Sequence, residues 1–316
     1  MKTNQWRRDP AFHDLRRMVR GLLVKDRSLQ RYTTYKVGGL ADIYFEPSGC
    51  EDLSIFMNYV SKKNIPFFII GKGANLLISD AGFRGVVVNL QKGFKELIID
   101  NLTVKVGTGM ILWDFLIEMK KKCLGGLERL IGIPGTIGGA VYMNAGAFGS
   151  EISDCLISVD VMDLNGKTDT LRKEEILFGY RKGFTDPEKI TLGIELLLKP
   201  DDCHSISRTM DEIWQRRKSK QPLSYPSAGS VFKRPPGKYA GVLIEQTGLK
   251  GIRVGDAVVS TKHANFILNK GRSTAQNIYD LIQIIREKVY KKFGVKLDLE
   301  NQLVGWSDRG LLKNLD

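Results

Sequence analysis

The chain of 316 residues has little of what builds metal centres and covalent staples: four cysteines and three histidines. Cys50, Cys123, Cys155 and Cys203 lie far apart, with no C-x-x-C pair and no histidine cluster beside them. That spacing argues against a zinc site and against a disulfide framework, and a reducing cytoplasm fits it. No metal is expected. No run of about 18 apolar residues is present, so no membrane span is expected. Met1 to Arg20 carries scattered arginines without a continuous apolar block, so it is not expected to be a secretory leader. Two nucleotide fingerprints are missing too: there is no Walker A loop, and the G-x-G at 71–73 lacks a third glycine and a following βαβ unit.

What is present is ordinary globular composition, 42% hydrophobic and 26% charged, with one excess. Glycine numbers 33, about a tenth of the chain against a usual share of roughly 7%. Excess glycine marks tight loops where backbone approaches a ligand. The net charge of +13 is unevenly spread: +5 over residues 1–30, zero over 31–200 and +8 over 201–316. A generic nucleic-acid binder is one reading of that charge. The neutral middle allows another, in which one lobe holds a ligand by backbone and a second holds an anion by charge.

Along the chain, the first 30 residues suggest a short basic helix with Arg16, Arg17 and Arg20 on one face, then a turn from Ser28 to Thr34. Phe67 to Ile70 and Val86 to Leu90 read as strands. Leu97 to Ile99 and Thr103 to Val106 read as a hairpin about Asp100-Asn101. Val159 to Leu164 and Thr168 to Leu171 read as another about Asn165-Gly166, whose residues suit a type I′ turn. Helices are expected from Ile111 to Cys123, Cys203 to Lys218 and Thr274 to Phe293. The last of these carries Ile278, Leu281, Ile282, Ile285 and Val289 at helical spacing. Gln221 to Tyr239 reads as loop and Val295 to Val304 as a closing strand. The pattern is α+β with a boundary near residue 200.

Two glycine segments could carry chemistry. Gly71-Lys72-Gly73-Ala74-Asn75-Leu76 follows a strand directly, so its N–H groups could turn toward an anion, with Lys72 adding charge. A tight turn between strands is the competing reading. Gly125 to Gly146 is denser, with Gly132-Ile133-Pro134-Gly135-Thr136-Ile137-Gly138-Gly139-Ala140 at its centre. It reads either as stacked β-turns or as a backbone wall along a flat or phosphorylated cofactor.

The order T-T-Y-K-V-G-G at 33–39, G-K-G-A-N-L-L at 71–77, G-I-P-G-T-I-G-G-A at 132–140, N-A-G-A-F-G at 144–149 and G-Y-R at 179–181 continues with P-S-A-G-S-V-F-K at 226–233, K-H-A-N-F at 262–266 and E-N-Q-L-V-G at 300–305. From about residue 31 to 305 this resembles the bacterial UDP-N-acetylenolpyruvoylglucosamine reductases (MurB). The resemblance implies an α+β fold: a vanillyl-alcohol-oxidase (PCMH)-type FAD-binding domain in two lobes over 31–200, and a smaller α+β substrate-binding domain over 201–316. The basic helical segment 1–30 precedes both. The implied reaction is NADPH-driven reduction of UDP-N-acetylglucosamine enolpyruvate to UDP-N-acetylmuramate for peptidoglycan, with hydride passing through flavin N5. The implied enzyme is a cytoplasmic monomer that takes a UDP-sugar and NADPH, without nucleic acid.

The resemblance also implies residue roles. Ser230 corresponds to the serine that protonates the carbanion, and Lys233 nearby would ease loss of its proton; a hydroxyl capping a turn is the competing reading. Arg181 corresponds to the arginine facing the enolate carboxylate, which suits a planar fork. Glu300 corresponds to the acidic partner, and beside an anionic intermediate it must be protonated or hydrogen-bonded. Cofactor contacts are implied for Tyr35, for Gly71, Lys72, Gly73, Ala74, Asn75 and Leu76, and for Gly132, Pro134, Gly135, Thr136, Gly138, Ala140 and Gly146. Substrate contacts are implied for Asn144, Tyr180, Gly229, Lys233, Arg234, His263 and Asn265. Arg216, Arg217 and Lys218 are further candidate phosphate contacts, against the competing role of a solvated helix end.

Three positions depart from the family pattern: Ala74 replaces a usual serine, Arg234 a usual asparagine and Gly183 a usual serine. The stretch 182–191 is short, as in the branch that lacks an inserted tyrosine-bearing loop. Two alternatives stand beside this reading. One is another FAD oxidoreductase of the same fold with a different substrate, although no Cys or His for flavin attachment lies in the glycine loops. The other is a basic nucleic-acid binder, which would interleave aromatic and basic residues, and no such stretch occurs.

Overall fold

The computed structural model describes residues 10–306. Its helices are α1 (Pro10–Met18), α2 (Cys50–Lys62), α3 (Leu112–Lys121), α4 (Ile137–Tyr142), α5 (Cys203–Lys220), α6 (Ala240–Gln246) and α7 (Ala275–Phe293). The described residues form two compact units: those up to 25, with 42–72 and 85–214, in the first, and 26–41, 73–84 and those from 215 onward in the second. The last passage between units falls inside α5, and two short excursions from the N-terminal half belong with the C-terminal unit.

The first unit contains two larger sheets and two short two-stranded ones. One has the strand order Leu22–Ser28, Leu40–Glu46, Phe83–Asn89, Phe67–Ile70, with the last two parallel. Strand Leu22–Ser28 lies where only a basic helix and a turn were expected. Its residues are mostly half-buried or exposed, so hydrophobic alternation does not reveal it. Helix α1 ends before it at Met18, and residues 1–9 of the basic segment lie outside the described residues. Phe45 stacks on Phe56 of α2 at 4.1 Å between ring centroids, in a core with Ile43, Met57, Val86 and Val88.

The other sheet is antiparallel throughout, in the order Thr168–Arg172, Leu156–Asp163, Lys189–Leu197, Thr103–Gly107, Leu97–Asp100. Leu112, Phe115, Leu116 and Met119 of α3 and Ile206, Met210 and Ile213 of α5 share one core with its buried residues. The hairpin about Asn165-Gly166 forms, but not through a type I′ turn. Gly166 alone is left-handed, at φ +89°, and Asp163 Oδ1 accepts the N–H groups of Asn165 and Lys167. The loop is therefore the longer kind, a turn followed by a left-handed glycine.

In the second unit α7 lays Ile278, Leu281, Ile282, Ile285 and Val289 into a core with Leu243, Ile244 and Ile267. Thr274 caps α7 by accepting the N–H of Asn277, the Asp80 carboxylate takes the N–H groups of Ala275 and Gln276, and Gly294 ends the helix at φ +65°. Beside it lies the antiparallel sheet Arg253–Val254, Ala257–Val259, Ile267–Asn269. The closing strand is shorter than expected. Only Gln302–Val304 pairs in a ladder, parallel to Leu76–Ile78, because the residues before it serve another purpose described below. Among the described residues no helix is long and apolar enough to cross a membrane, and no group of three His, Cys, Asp or Glu is placed to hold a metal.

The expectation of no disulfide is corrected. Cys123 and Cys203 are joined, their Cα atoms 4.6 Å apart across 80 residues of sequence. Spacing could not show this, because the approach comes from strand Lys199–Pro200 pairing with Leu124–Gly125, which sets the end of α3 against the start of α5. Cys50 and Cys155 are free thiols. Thiol titration of the unfolded, unreduced protein should find two reactive groups, and four after reductant. Opening a loop of this length should lower stability by up to about 4 kcal/mol, read as a drop in denaturation midpoint for Cys123→Ser. Four thiols without reductant would sink the assignment.

Candidate active site

In the first unit the two glycine segments meet. A Cβ on Gly71 would strike the Thr136 hydroxyl, and one on Gly138 would overlap Thr108, so the main chain is pressed close at both points. Thr136 caps α4 by accepting the N–H of Gly139. The N–H groups of Ile137 and Gly138 are taken by the carbonyls of Met110 and Thr108. The start of α4 is therefore already satisfied. The loop before it is open instead: Gly135 lies at φ +148°, and a Cβ there would meet nothing within 4 Å.

The loop after strand Phe67–Ile70 supplies the donors. The N–H groups of Gly71, Lys72, Gly73 and Ala74 find no acceptor among the described residues, whereas the carbonyl of Gly73 accepts the N–H of Thr34 at 3.2 Å. Four successive unpaired amides beside an exposed lysine fit the phosphates of a dinucleotide such as FAD. Ala74 in place of serine removes a hydroxyl but no N–H. The Asn75 side chain bonds within the protein. Its Nδ2 donates to the carbonyl of Glu300 at 2.9 Å, and its Oδ1 accepts from Asn301 at 2.8 Å. Tyr35 is wholly buried, with its hydroxyl on Asn301 Oδ1 at 3.0 Å. Any contact from Tyr35 to a cofactor is thus a main-chain one.

Tyr180 and Arg181 form a two-residue turn closed by reciprocal bonds between Gly179 and Lys182, of 2.8 and 3.0 Å. Arg181 is left-handed at φ +55°, and its Nη1 donates to the carbonyl of Gly146 at 3.0 Å. Tyr180 is exposed, with the Arg181 guanidinium 5.3 Å from its ring centroid. Asn144 does not face outward. It is fully buried, and its Nδ2 donates to Glu151 at 2.6 Å and to the carbonyl of Gly179 at 3.2 Å, so it braces this turn from beneath. Gly183 explains its own departure from the family pattern: a Cβ there would collide with the carbonyl of Val141.

In the second unit the segments that carry Ser230 and Glu300 are brought together by backbone. The N–H of Glu300 donates to the carbonyl of Val231 at 2.8 Å, Phe232 bridges Leu299, and the N–H of Lys233 donates to the carbonyl of Asp298 at 2.9 Å. Gly229 precedes the serine at φ +73°, a conformation that favours glycine. Asn265 bonds to the main chain of the same segment. Its side chain accepts the N–H of Phe232 at 3.0 Å and donates to the carbonyl of the same residue at 2.9 Å, as a strand neighbour would. The exposed Arg234 lies 4.1 Å from the Tyr239 ring centroid. Arg217 is buried, so residues 216–218 do not form a continuous cationic surface.

His263 is half-buried beside Phe266, and its Nδ1 accepts the N–H of Asn265 at 3.3 Å. Burial holds its pKa below the ordinary imidazole value. The residue that sequence reading missed is Asn301, a buried side chain with four hydrogen-bond partners. Its one sequence signal is its place beside Glu300 in a stretch of alternating apolar residues.

Comparison with known proteins places these parts. Residues 41–172 match the FAD binding domain family, and residues 221–304 match the UDP-N-acetylenolpyruvoylglucosamine reductase C-terminal domain. The UDP-N-acetylenolpyruvoylglucosamine reductase of Clostridium novyi is 44% identical over 278 residues, covering 88% of this chain and 90% of that protein. That of Clostridioides difficile is 42% identical over 281 residues, covering 89% and 92%. The crystal structure of UDP-N-acetylenolpyruvylglucosamine reductase (MurB) from Thermus caldophilus superposes with a TM-score of 0.78 at 37% identity, covering 90% of this chain and 99% of that one. Fold and site together define an FAD-dependent oxidoreductase of α+β architecture. The chain belongs to the UDP-N-acetylenolpyruvoylglucosamine reductase family.

The depressed pKa of His263 fixes the sign of one pH effect. The native state takes this proton less readily than the unfolded chain, so stability should fall as pH drops below about 6.5. Denaturation midpoints between pH 7.5 and 5 should decline less steeply in His263→Gln than in the parent. An equal decline would assign the dependence to other groups.

Proposed function

We propose that the chain reduces UDP-N-acetylglucosamine enolpyruvate to UDP-N-acetylmuramate for peptidoglycan synthesis, at the expense of NADPH. In this reading the cofactor lies on the 71–75 and 132–140 loops, and residues 201–316 receive the UDP-sugar. When bound, FAD supplies the relay of a hydride from NADPH to the methylene carbon of the enol ether. The remaining work belongs to the chain. Arg181 holds the substrate carboxylate, where negative charge accumulates as the adjacent carbon becomes a carbanion. The Ser230 hydroxyl gives its proton to that carbon, which completes addition across the double bond. Lys233 lowers the cost of the serine alkoxide left behind, and Glu300 completes the local network.

The observation that carries this reading is the pairing of 231–233 against 298–300, which lays the segment that begins at Ser230 against the one that ends at Glu300. Arg234, stacked on Tyr239, is the cation best placed to meet the diphosphate; as a donor-only group it cannot accept a hydrogen bond from a base or sugar. The enzyme works in the cytoplasm as a monomer, without a nucleic-acid partner.

Purified protein should be yellow and release flavin on heating; a colourless preparation that takes up no FAD would end the reading. In stopped-flow, Ser230→Ala should leave NADPH reduction of the flavin intact. Reoxidation by the enolpyruvyl substrate should fall by roughly 10²–10⁴-fold, the range for loss of a general acid. Equal losses in both half-reactions would remove Ser230 from the proton-donor role.

A further inference from the structure

We propose that Asn301 is a positioning residue for proton delivery, holding the Ser230 turn and joining it to the cofactor loop. The proposal rests on the reading of Ser230 as the proton donor. Asn301 has 3% of its surface exposed, and a polar amide is buried at such a position only if its hydrogen bonds are met. They are met in a particular way. Its Nδ2 donates to the carbonyl of Ala228 at 3.1 Å and to that of Ser230 at 3.2 Å, so one amide grips the chain on both sides of Gly229. The same nitrogen reaches Asn75 Oδ1 at 2.8 Å, and its two hydrogens are shared among the three acceptors.

The orientation of this amide is determined by its surroundings. Main-chain carbonyls only accept, so Nδ2 must face Ala228 and Ser230, and Oδ1 must face Tyr35. The Tyr35 hydroxyl donates to Oδ1 at 3.0 Å from a fully buried ring. Burial pushes the phenol pKa up, which keeps that proton in place. Asn75 closes the network with its bond to the carbonyl of Glu300. Asn75 also ends the loop whose amides at 71–74 are open to a phosphate. One buried amide therefore ties three things together: the turn that presents the serine hydroxyl, the segment that presents Glu300, and the loop expected to carry the cofactor phosphates.

An apolar side chain of similar size would fill the space equally well and leave the two carbonyls bare. The turn would survive on the Asn265 clamp at Phe232, but its upstream half would be free to shift. A shift of about 1 Å in a reacting group can cost on the order of 10²-fold in rate.

The test uses FAD-loaded enzyme carrying Asn301→Ala or Asn301→Leu, with each half-reaction followed in stopped-flow. Flavin reduction by NADPH should keep its parental rate. Reoxidation by the enolpyruvyl sugar should fall on the order of 10²-fold, with a larger solvent deuterium isotope effect because proton transfer has become the slow step. If the Asn301 variants do not retain FAD, Tyr35→Phe carries the test; it keeps the ring in its socket and removes the hydroxyl that orients the amide. It should show the same split to a smaller degree. Equal loss in both half-reactions, or an unchanged reoxidation rate, overturns the proposal. Ser230→Ala run in parallel separates the two ideas. If that variant reoxidises normally, the proton-donor reading has failed; if it collapses while the Asn301 and Tyr35 variants do not, only the role of Asn301 has.

Discussion

Backbone that lies outside any sheet ladder must still be hydrogen-bonded when it is buried. The segment around Ser230 meets that demand with side-chain amides. Asn301 takes the carbonyls of Ala228 and Ser230, and Asn265 takes both main-chain groups of Phe232. Each asparagine presents a donor and an acceptor in one plane, as a peptide group does, so it can replace a neighbouring strand without continuing it. The closing segment is short for the same reason. Residues before Gln302 bond to Val231 and Asn75 rather than to a ladder. Much else in the second unit follows from this. The strands Leu76–Ile78 and Gln302–Val304 run parallel, with Asn75 and Asn301 bonded side by side at their starts.

The first unit solves a related problem with strain. Asn144, Phe148 and Arg181 are all left-handed non-glycine residues, at φ +44°, +54° and +55°. Such a conformation costs roughly 1–3 kcal/mol per residue and survives only where surrounding contacts over-determine it. Asparagine tolerates it; phenylalanine and arginine do not gain by it. The contacts are present: Arg181 is held by the Gly179–Lys182 pair, by the carbonyl of Gly146 and by the Asn144 brace under Gly179. Gly183 belongs to this set, since only a residue without a side chain lets the turn settle onto Val141. Two loops are thus held in two ways, one by buried amides and the other by a strained turn pressed onto its support.

How much of this could be read beforehand depends on range. Helices α3, α5 and α7 and the hairpin at 97–107 declare themselves through local periodicity and turn chemistry, and they form where expected. The pairing of residues 76–78 with 302–304 and the link between Cys123 and Cys203 connect positions with no local signal. Strand Leu22–Ser28 was hidden because its side chains alternate weakly. Within the site, the glycine loops and the serine motif were legible as motifs, but burial was not. Asn144, Asn265 and Asn75 are named as ligand contacts by the family resemblance. In the structure their side-chain amides bond to other protein groups, and a motif cannot distinguish a residue that touches substrate from one that holds the residue that does.

The net charge of +8 over residues 201–316 illustrates the same limit. Read from composition, it is a surface that attracts a diphosphate. In the structure many of those cations have other partners. Arg286 is buried and donates to the carbonyl of Leu297, while Lys262 and Lys292 reach the carbonyls of Lys218 and Gln246. Lys250 pairs with Glu245 and Arg253 with Asp256. A charge that closes a helix end or ties two segments acts mainly on its own surroundings, because exposed charges are screened within about 8 Å at physiological salt. Lys233 and Arg234 follow Ser230 directly along the chain. A net charge summed over a unit therefore overstates the charge left to act on an anion at short range.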